Sequence, residues 1–241
     1  VADPAPDLHL TLTPALQPSW DAVLAAGVSA QAILGEGVAV GGTAAALYAG
    51  HRFSEDVDNL LPNLREHFDE TLSRLEASDD WKTARTNRPV LILGKLRGIQ
   101  IGVRQMRRTT AIDRIIVATK VGPFVIPTLD EMIGMKAVLA YQRKAVRDFL
   151  DLAALGTLAG DDATIDEFMR LDDKYSDIQV SSVRLEVAKT LVEAMPADLD
   201  QVNLRAYRGL EHEWQDWIRI EDWCQRIGRN FGERIVFGDA S

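Results

Sequence analysis

The chain has 241 residues, of which 46% are apolar and 26% charged, and its net charge is −9. That apolar share is enough to bury a core, so disorder as the overall state is excluded. The longest apolar runs, such as Ala44 to Ala49 and Val90 to Leu93, fall far short of the roughly 18 residues a membrane span requires. A single cysteine, Cys224, excludes an internal disulfide framework and a cysteine-based zinc cluster, and points to a reducing cytoplasm. The excess of acid argues, at first sight, against nucleic acid as a partner.

In chain order, residues 1–18 carry four prolines, no basic residue and no long apolar stretch, and are expected to form an extended arm rather than a secretory signal. Trp20, Val23, Leu24, Val28 and Leu34 recur at helical spacing and predict a helix over 19–35, with Ser19 as cap and Gln31 breaking the apolar face. Val38–Gly42 reads as a short buried strand entering a glycine turn, and Thr43–Tyr48 as a short helix stopped by Gly50. Val57–Leu61 reads as a second strand, followed by an amphipathic helix marked by Leu64, Phe68, Leu72 and Leu75. Strands are expected over 81–85, 89–96, 98–105, 115–118 and 123–126, with Gly94, Gly98 and Gly102 as bends or bulges. After Pro127 the pattern turns helical. Thr128 and Glu131 fit a capping box, and helices are expected over 129–142, 145–159, 164–174, 180–194 and 208–229. The fold class is therefore α+β, with an α+β domain over 1–127 and a helical domain over 128–241.

The chemistry gathers where a strand ends in Gly41, Gly42 and Thr43 and the chain returns through His51-Arg52-Phe53-Ser54-Glu55-Asp56-Val57-Asp58. Helix N-terminal N–H groups with no side chain in the way form a phosphate site. On an extended segment residues i and i+2 share a face, so Asp56 and Asp58 converge, with Ser54 turned the same way. Two carboxylates on one face hold a hard divalent cation such as Mg²⁺, or Mn²⁺, with phosphate oxygens completing its shell. Either feature alone is ordinary turn chemistry; the ordered combination is the specific signal.

Gly41-Gly42-Thr43 followed by His51-Arg52-x-Ser54-x-Asp56-x-Asp58 resembles the signature of the AbiEii/AbiGii-type nucleotidyltransferase toxins, including MenT-like toxins, within the DNA polymerase β-like superfamily. A second block, Lys136-Ala137 and then Arg147-Asp148-Phe149-Leu150-Asp151-Leu152, resembles the helical motifs of the same family. The resemblance implies a polymerase β-like core with a helical C-terminal domain that completes the active site. It implies an enzyme that transfers a nucleoside monophosphate from a nucleoside triphosphate. Gly41, Gly42, Thr43, Arg52, Ser54 and Lys136 would bind the nucleotide, Asp56 and Asp58 the metal. Asp148 and Asp151 would complete the catalytic set. It further implies a tRNA 3′ end as acceptor, a block of translation and a cognate antitoxin. Two positions depart from the pattern. The strand expected to carry a third carboxylate, Leu96 to Val103, has none, with Gln100 and Gly102 where an acid would stand, and Asn59 takes a place usually hydrophobic.

Charge is unevenly spread. Fourteen of the 27 Lys and Arg but only three of the 36 acids lie in 81–147, which leaves that segment at +11 and the rest at −20. Arg104, Arg107 and Arg108 within it are the expected RNA-binding residues. The four histidines, His9, His51, His67 and His212, lack metal-ligand spacing. Trp214, Trp217 and Trp223, expected on one late helix, and Cys224 read as packing residues. Transfer to a protein partner, transfer to a small molecule, and non-catalytic nucleotide binding are the competing readings.

Overall fold

The computed structural model describes residues 8 and 13–238. The chain divides into two compact units, Val1–Thr128 and Leu129–Ser241. Most of the arm expected over 1–18 lies outside the described residues; within them, 14–16 form a turn and helix α1 (Gln17–Leu34) already begins at Gln17.

In the first unit α1 buries Trp20, Val23, Leu24 and Ala30. It packs on a five-stranded mixed sheet made of β1 (Val38–Val40), β2 (Asp56–Leu61), β3 (Trp81–Asn87), β4 (Leu91–Leu96) and β5 (Ile99–Gln105), in the order β1-β2-β5-β4-β3. Among the described strands of this sheet, only β2 and β5 run parallel. Parallel neighbours need a long connection, and α3 (Phe68–Glu76) with the β3–β4 hairpin supplies it. Helix α2 (Gly41–Ala49) links β1 to β2 and ends at Gly50 in the left-handed region.

The alternation of the strands sorts the sheet into two faces. Val57, Asn59 and Leu61 of β2, Ile101 and Val103 of β5, and Ile92 and Leu96 of β4 are buried on one face. The other, more open face carries Asp56, Asp58 and Leu60 beside Gln100, Gly102 and Arg104, with Lys95 beyond them.

Gln31, which breaks the apolar face of α1, is buried with that face. Its amide donates to the Val125 carbonyl at 2.7 Å and accepts from the Val125 N–H at 2.8 Å. It thereby satisfies the backbone of β7 (Gly122–Pro127), which pairs with β6 (Arg114–Thr119) in a separate antiparallel sheet. The same amide donates to Asn59 Oδ1 at 3.4 Å, which gives the fully buried Asn59 a partner where a hydrophobic residue was expected.

The second unit is helical: α4 (Leu129–Arg143), α5 (Val146–Ala159), α6 (Asp161–Met169), α7 (Leu171–Lys174), α8 (Val183–Glu193) and α9 (Trp217–Phe237). Helices α4 and α5 pack together, as do α8 and α9. The single helix expected over 164–174 is broken at Arg170. The break lets Lys174 turn inward, where its amine lies 2.6 Å from Glu167 Oε1 and 3.1 Å from Glu131 Oε2. Burial raises the Glu167 carboxyl above its ordinary range, and Lys174 opposes that shift. The helix expected from 208 starts only at Trp217, because Asp216 caps it by accepting from the Ile218 N–H. Trp214 consequently sits in a 3₁₀ turn, His212–Trp214, and not on α9. Trp214 and Trp223 are buried, and Trp217 meets Phe149 edge-on at 5.9 Å. Cys224 is fully buried, which pushes its thiol pKa up.

Gln31→Leu removes both partners of the Val125 backbone and is expected to destabilise the protein by about 2–3 kcal/mol in urea denaturation, despite the apolar gain. A loss below about 0.5 kcal/mol would show that this amide is dispensable.

Candidate functional site in the first unit

Strand β1 passes directly into α2. Gly41 adopts φ +77°, a conformation that side-chain-bearing residues avoid. A Cβ at Gly42 would stand 2.5 Å from Arg52 Nη2 and 2.8 Å from Ser54 Oγ, so a bare backbone is what admits these groups to the first turn. Helix α2 has no side-chain cap, and the guanidinium of Arg52 is buried beside its start. A helix N-terminus with an adjacent cation suits an anion.

Thr43 and Ser54, expected to reach phosphate, face Asp56 instead. The Thr43 hydroxyl, fully buried, donates to the Asp56 carbonyl at 2.5 Å. Ser54 Oγ donates to Asp56 Oδ1 at 3.2 Å. Together they fix the backbone and the carboxylate of the first residue of β2. His51 is fully buried.

The two carboxylates have different surroundings. Asp56 is exposed at the strand end, while Asp58 lies deeper on the same face. The parallel register sets Gln100 opposite Asp56, Gly102 opposite Asp58 and Arg104 opposite Leu60. No third acid stands on β5. A Cβ at Gly102 would lie 2.0 Å from Asp58 Oδ1, so the carboxylate rests on the bare backbone of the neighbouring strand. Arg104, expected to bind RNA, donates through Nε to that same oxygen at 3.0 Å.

Lys136, Asp148 and Asp151 meet within the second unit. The Lys136 amine is 2.7 Å from Asp151 Oδ2 and 3.3 Å from Asp148 Oδ1, and none of the three side chains is more than 4% exposed. Arg143 lies 3.9 Å from the other Asp148 oxygen. Snorkelling of the lysine to solvent is thereby excluded: its charge is met inside by two carboxylates one helical turn apart on α5.

The basic segment resolves into two populations. Arg88, Arg97, Arg104, Lys136, Arg143 and Lys144 each pair with an acid. Arg108 is buried, its guanidinium donating to the Thr110 and Ala111 carbonyls, and this local bonding withdraws it from the expected RNA surface. Arg107 is exposed. Lys82, Arg85 and Lys95, which sequence reasoning did not single out, are exposed on β3 and β4. The register Lys82↔Lys95↔Gln100↔Asp56, with Arg85↔Leu93↔Gly102↔Asp58 beside it, puts all three on the face of the two aspartates. Strand alternation was the signal that could have found them.

The family model described as "Nucleotidyl transferase AbiEii toxin, Type IV TA system" matches residues 38–227. No curated protein matches the sequence. Among solved structures, the chain is similar to an antigenic nucleotidyltransferase-like protein from Paracoccidioides brasiliensis, at 16% identity over 64% of this chain and 88% of that one, with a TM-score of 0.44. It is also similar to the antibiotic-resistance factor ANT(2'')-Ia, at 11% identity over 66% of this chain and 94% of that one, with a TM-score of 0.49.

Lys136→Ala strands two buried carboxylates and is expected to cost about 3–5 kcal/mol in chemical denaturation. The triple variant Lys136→Met, Asp148→Asn, Asp151→Asn is expected to recover most of that loss. A single variant as stable as the parent would refute the buried-triad energetics.

Proposed function

The chain belongs to the AbiEii nucleotidyl transferase toxin family, and on that premise we propose that it transfers a nucleoside monophosphate to the 3′ end of tRNA and so stops translation. The observation that carries this reading is the open sheet face, which Asp56 and Asp58 share with the exposed cations Lys82, Arg85 and Lys95. A polyanion is attracted to such a row, and phosphate contacts of this kind position a nucleic acid. The same row disfavours a polycationic small-molecule acceptor.

Mg²⁺ is ordinarily held by one or two carboxylates with substrate phosphates and water completing its shell. Asp56 and Asp58 fit that demand: both offer hard oxygens on one face. Among the described residues no group of three or more His, Cys, Asp or Glu gathers to compete. A bound Mg²⁺ or Mn²⁺ would neutralise phosphate charge and lower the pKa of the acceptor hydroxyl.

In the transfer, the acceptor hydroxyl oxygen bonds to the α-phosphorus, the bond from that phosphorus to the oxygen bridging the β-phosphate breaks, and pyrophosphate leaves. Gly41 and Gly42 offer the first N–H groups of α2 to the phosphates, with the Arg52 charge behind them. Thr43 and Ser54 keep Asp56 in its ligand position. The hydroxyl proton passes to water; Lys136, Asp148 and Asp151 are closed on one another inside the second unit and take no step in the transfer. A separately encoded antitoxin would hold the activity in check. No helix of the described residues is long and apolar enough to cross a membrane, and a tRNA acceptor puts the site of action in the cytoplasm.

Incubation with total tRNA, Mg²⁺ and each labelled nucleoside triphosphate in turn is expected to label RNA, and Asp56→Ala to abolish the label. Label on a protein or on an added aminoglycoside, with none on RNA, overturns the acceptor. Gly102→Ala, which drives a methyl group into the Asp58 carboxylate, is expected to lower transfer about 100-fold with little change in stability. Unchanged transfer would separate Asp58 from the reaction.

A further inference from the structure

Arg104 lies two residues beyond Gly102 on β5 and therefore on the face of the two aspartates. Its Nε is 3.0 Å from Asp58 Oδ1, with the two side chains 42% and 31% exposed. The bare backbone of Gly102 leaves that oxygen accessible from the β5 side, and no acid on β5 competes for the guanidinium. Asp56, by contrast, receives the neutral hydroxyl of Ser54. One carboxylate of the pair is thus engaged by a tethered cation and the other by a dipole.

A guanidinium and a divalent cation cannot share one carboxylate oxygen without repulsion. A guanidinium also binds phosphate in a bidentate fashion, and a triphosphate carries more negative charge than a single carboxylate. We propose that Arg104 is an electrostatic gate on the metal site. Without a triphosphate it holds Asp58 and weakens metal binding; when a triphosphate arrives it moves to a phosphate oxygen and frees Asp58 for the metal. No covalent step is involved. This rests on the reading of Asp56 and Asp58 as metal ligands for nucleotidyl transfer. Metal and triphosphate then bind with positive coupling, and reciprocity requires each to strengthen the other by the same factor.

Calorimetric titration of the full chain with Mn²⁺, with and without a non-hydrolysable nucleoside triphosphate, tests the gate. The wild type is expected to bind Mn²⁺ weakly alone and more tightly with the analogue. Arg104→Gln is expected to bind Mn²⁺ alone about threefold tighter or more, the scale of an exposed ion pair. The same substitution is expected to reduce the coupling factor by a similar amount. Arg104→Lys keeps the charge and is expected to bind Mn²⁺ alone as weakly as the wild type. The split in sign is diagnostic: an arginine that only binds phosphate would change the coupling alone, and a structural one neither quantity. Unchanged Mn²⁺ affinity in Arg104→Gln overturns the gate. Asp58→Asn distinguishes the underlying reading. If it abolishes Mn²⁺ binding while Arg104→Gln changes nothing, the gate alone fails; if it leaves Mn²⁺ binding intact, the metal-site reading fails with it.

Discussion

The register between β2 and β5 determines where every charge on the open sheet face stands. It is fixed from the opposite side. Val57, Asn59 and Leu61 of β2 are buried among Ile101, Val103 and Ile92, and a slip of one residue would put Asp56 and Asp58 into that core and expose Val57. The hydrophobic face thus specifies the position of the carboxylates on the other. Because the paired strands are parallel, Asp58 meets Gly102 side by side, and a residue with any side chain there would displace it. The core does the positioning and the glycine admits the result.

The start of β2 is tied to the start of α2. The hydroxyl of Thr43, in the first turn of α2, bonds to the Asp56 carbonyl, and Ser54 orients the Asp56 carboxylate. An anion held at the first turn of α2 is therefore mechanically linked, through one hydrogen bond, to the strand that presents the carboxylates. A longer connection or a more flexible cap would leave phosphate and carboxylate positions independent, and productive geometry tolerates little such freedom.

Local features were legible in the sequence. Glycines flanking a short alanine-rich helix, an Asp-x-Asp on an extended segment, and apolar residues at helical spacing all have their cause within a few residues. What was not legible depends on partners far along the chain. Gln31 looks like a flaw in a helix until Val125, 94 residues away, needs both halves of its amide. Asn59 is tolerable in the core because that amide is there to donate to it. The Lys174–Glu131–Glu167 cluster joins three helices, and periodicity carries no trace of it. The late start of α9 is a different failure: the helix expected from 208 ran through Asp216, whose capping bond decides the boundary.

Charge shows the same division between local and distant causes. A count over 81–147 treats Arg108, held by its own loop's carbonyls, and Arg104, held by an acid 46 residues earlier in the chain, as free surface charge. Neither is. The cations the count does not rank, Lys82, Arg85 and Lys95, are the ones strand pairing aligns with the aspartates. Their field, not the net −9, is what an approaching polyanion meets, because screening limits exposed charges to a range of about 8–10 Å at physiological salt. An acidic protein can therefore attract triphosphate and RNA at one face. The acids nearest that face, Asp56 and Asp58, are compatible with the attraction to the degree that Arg104 neutralises one of them until phosphate is present.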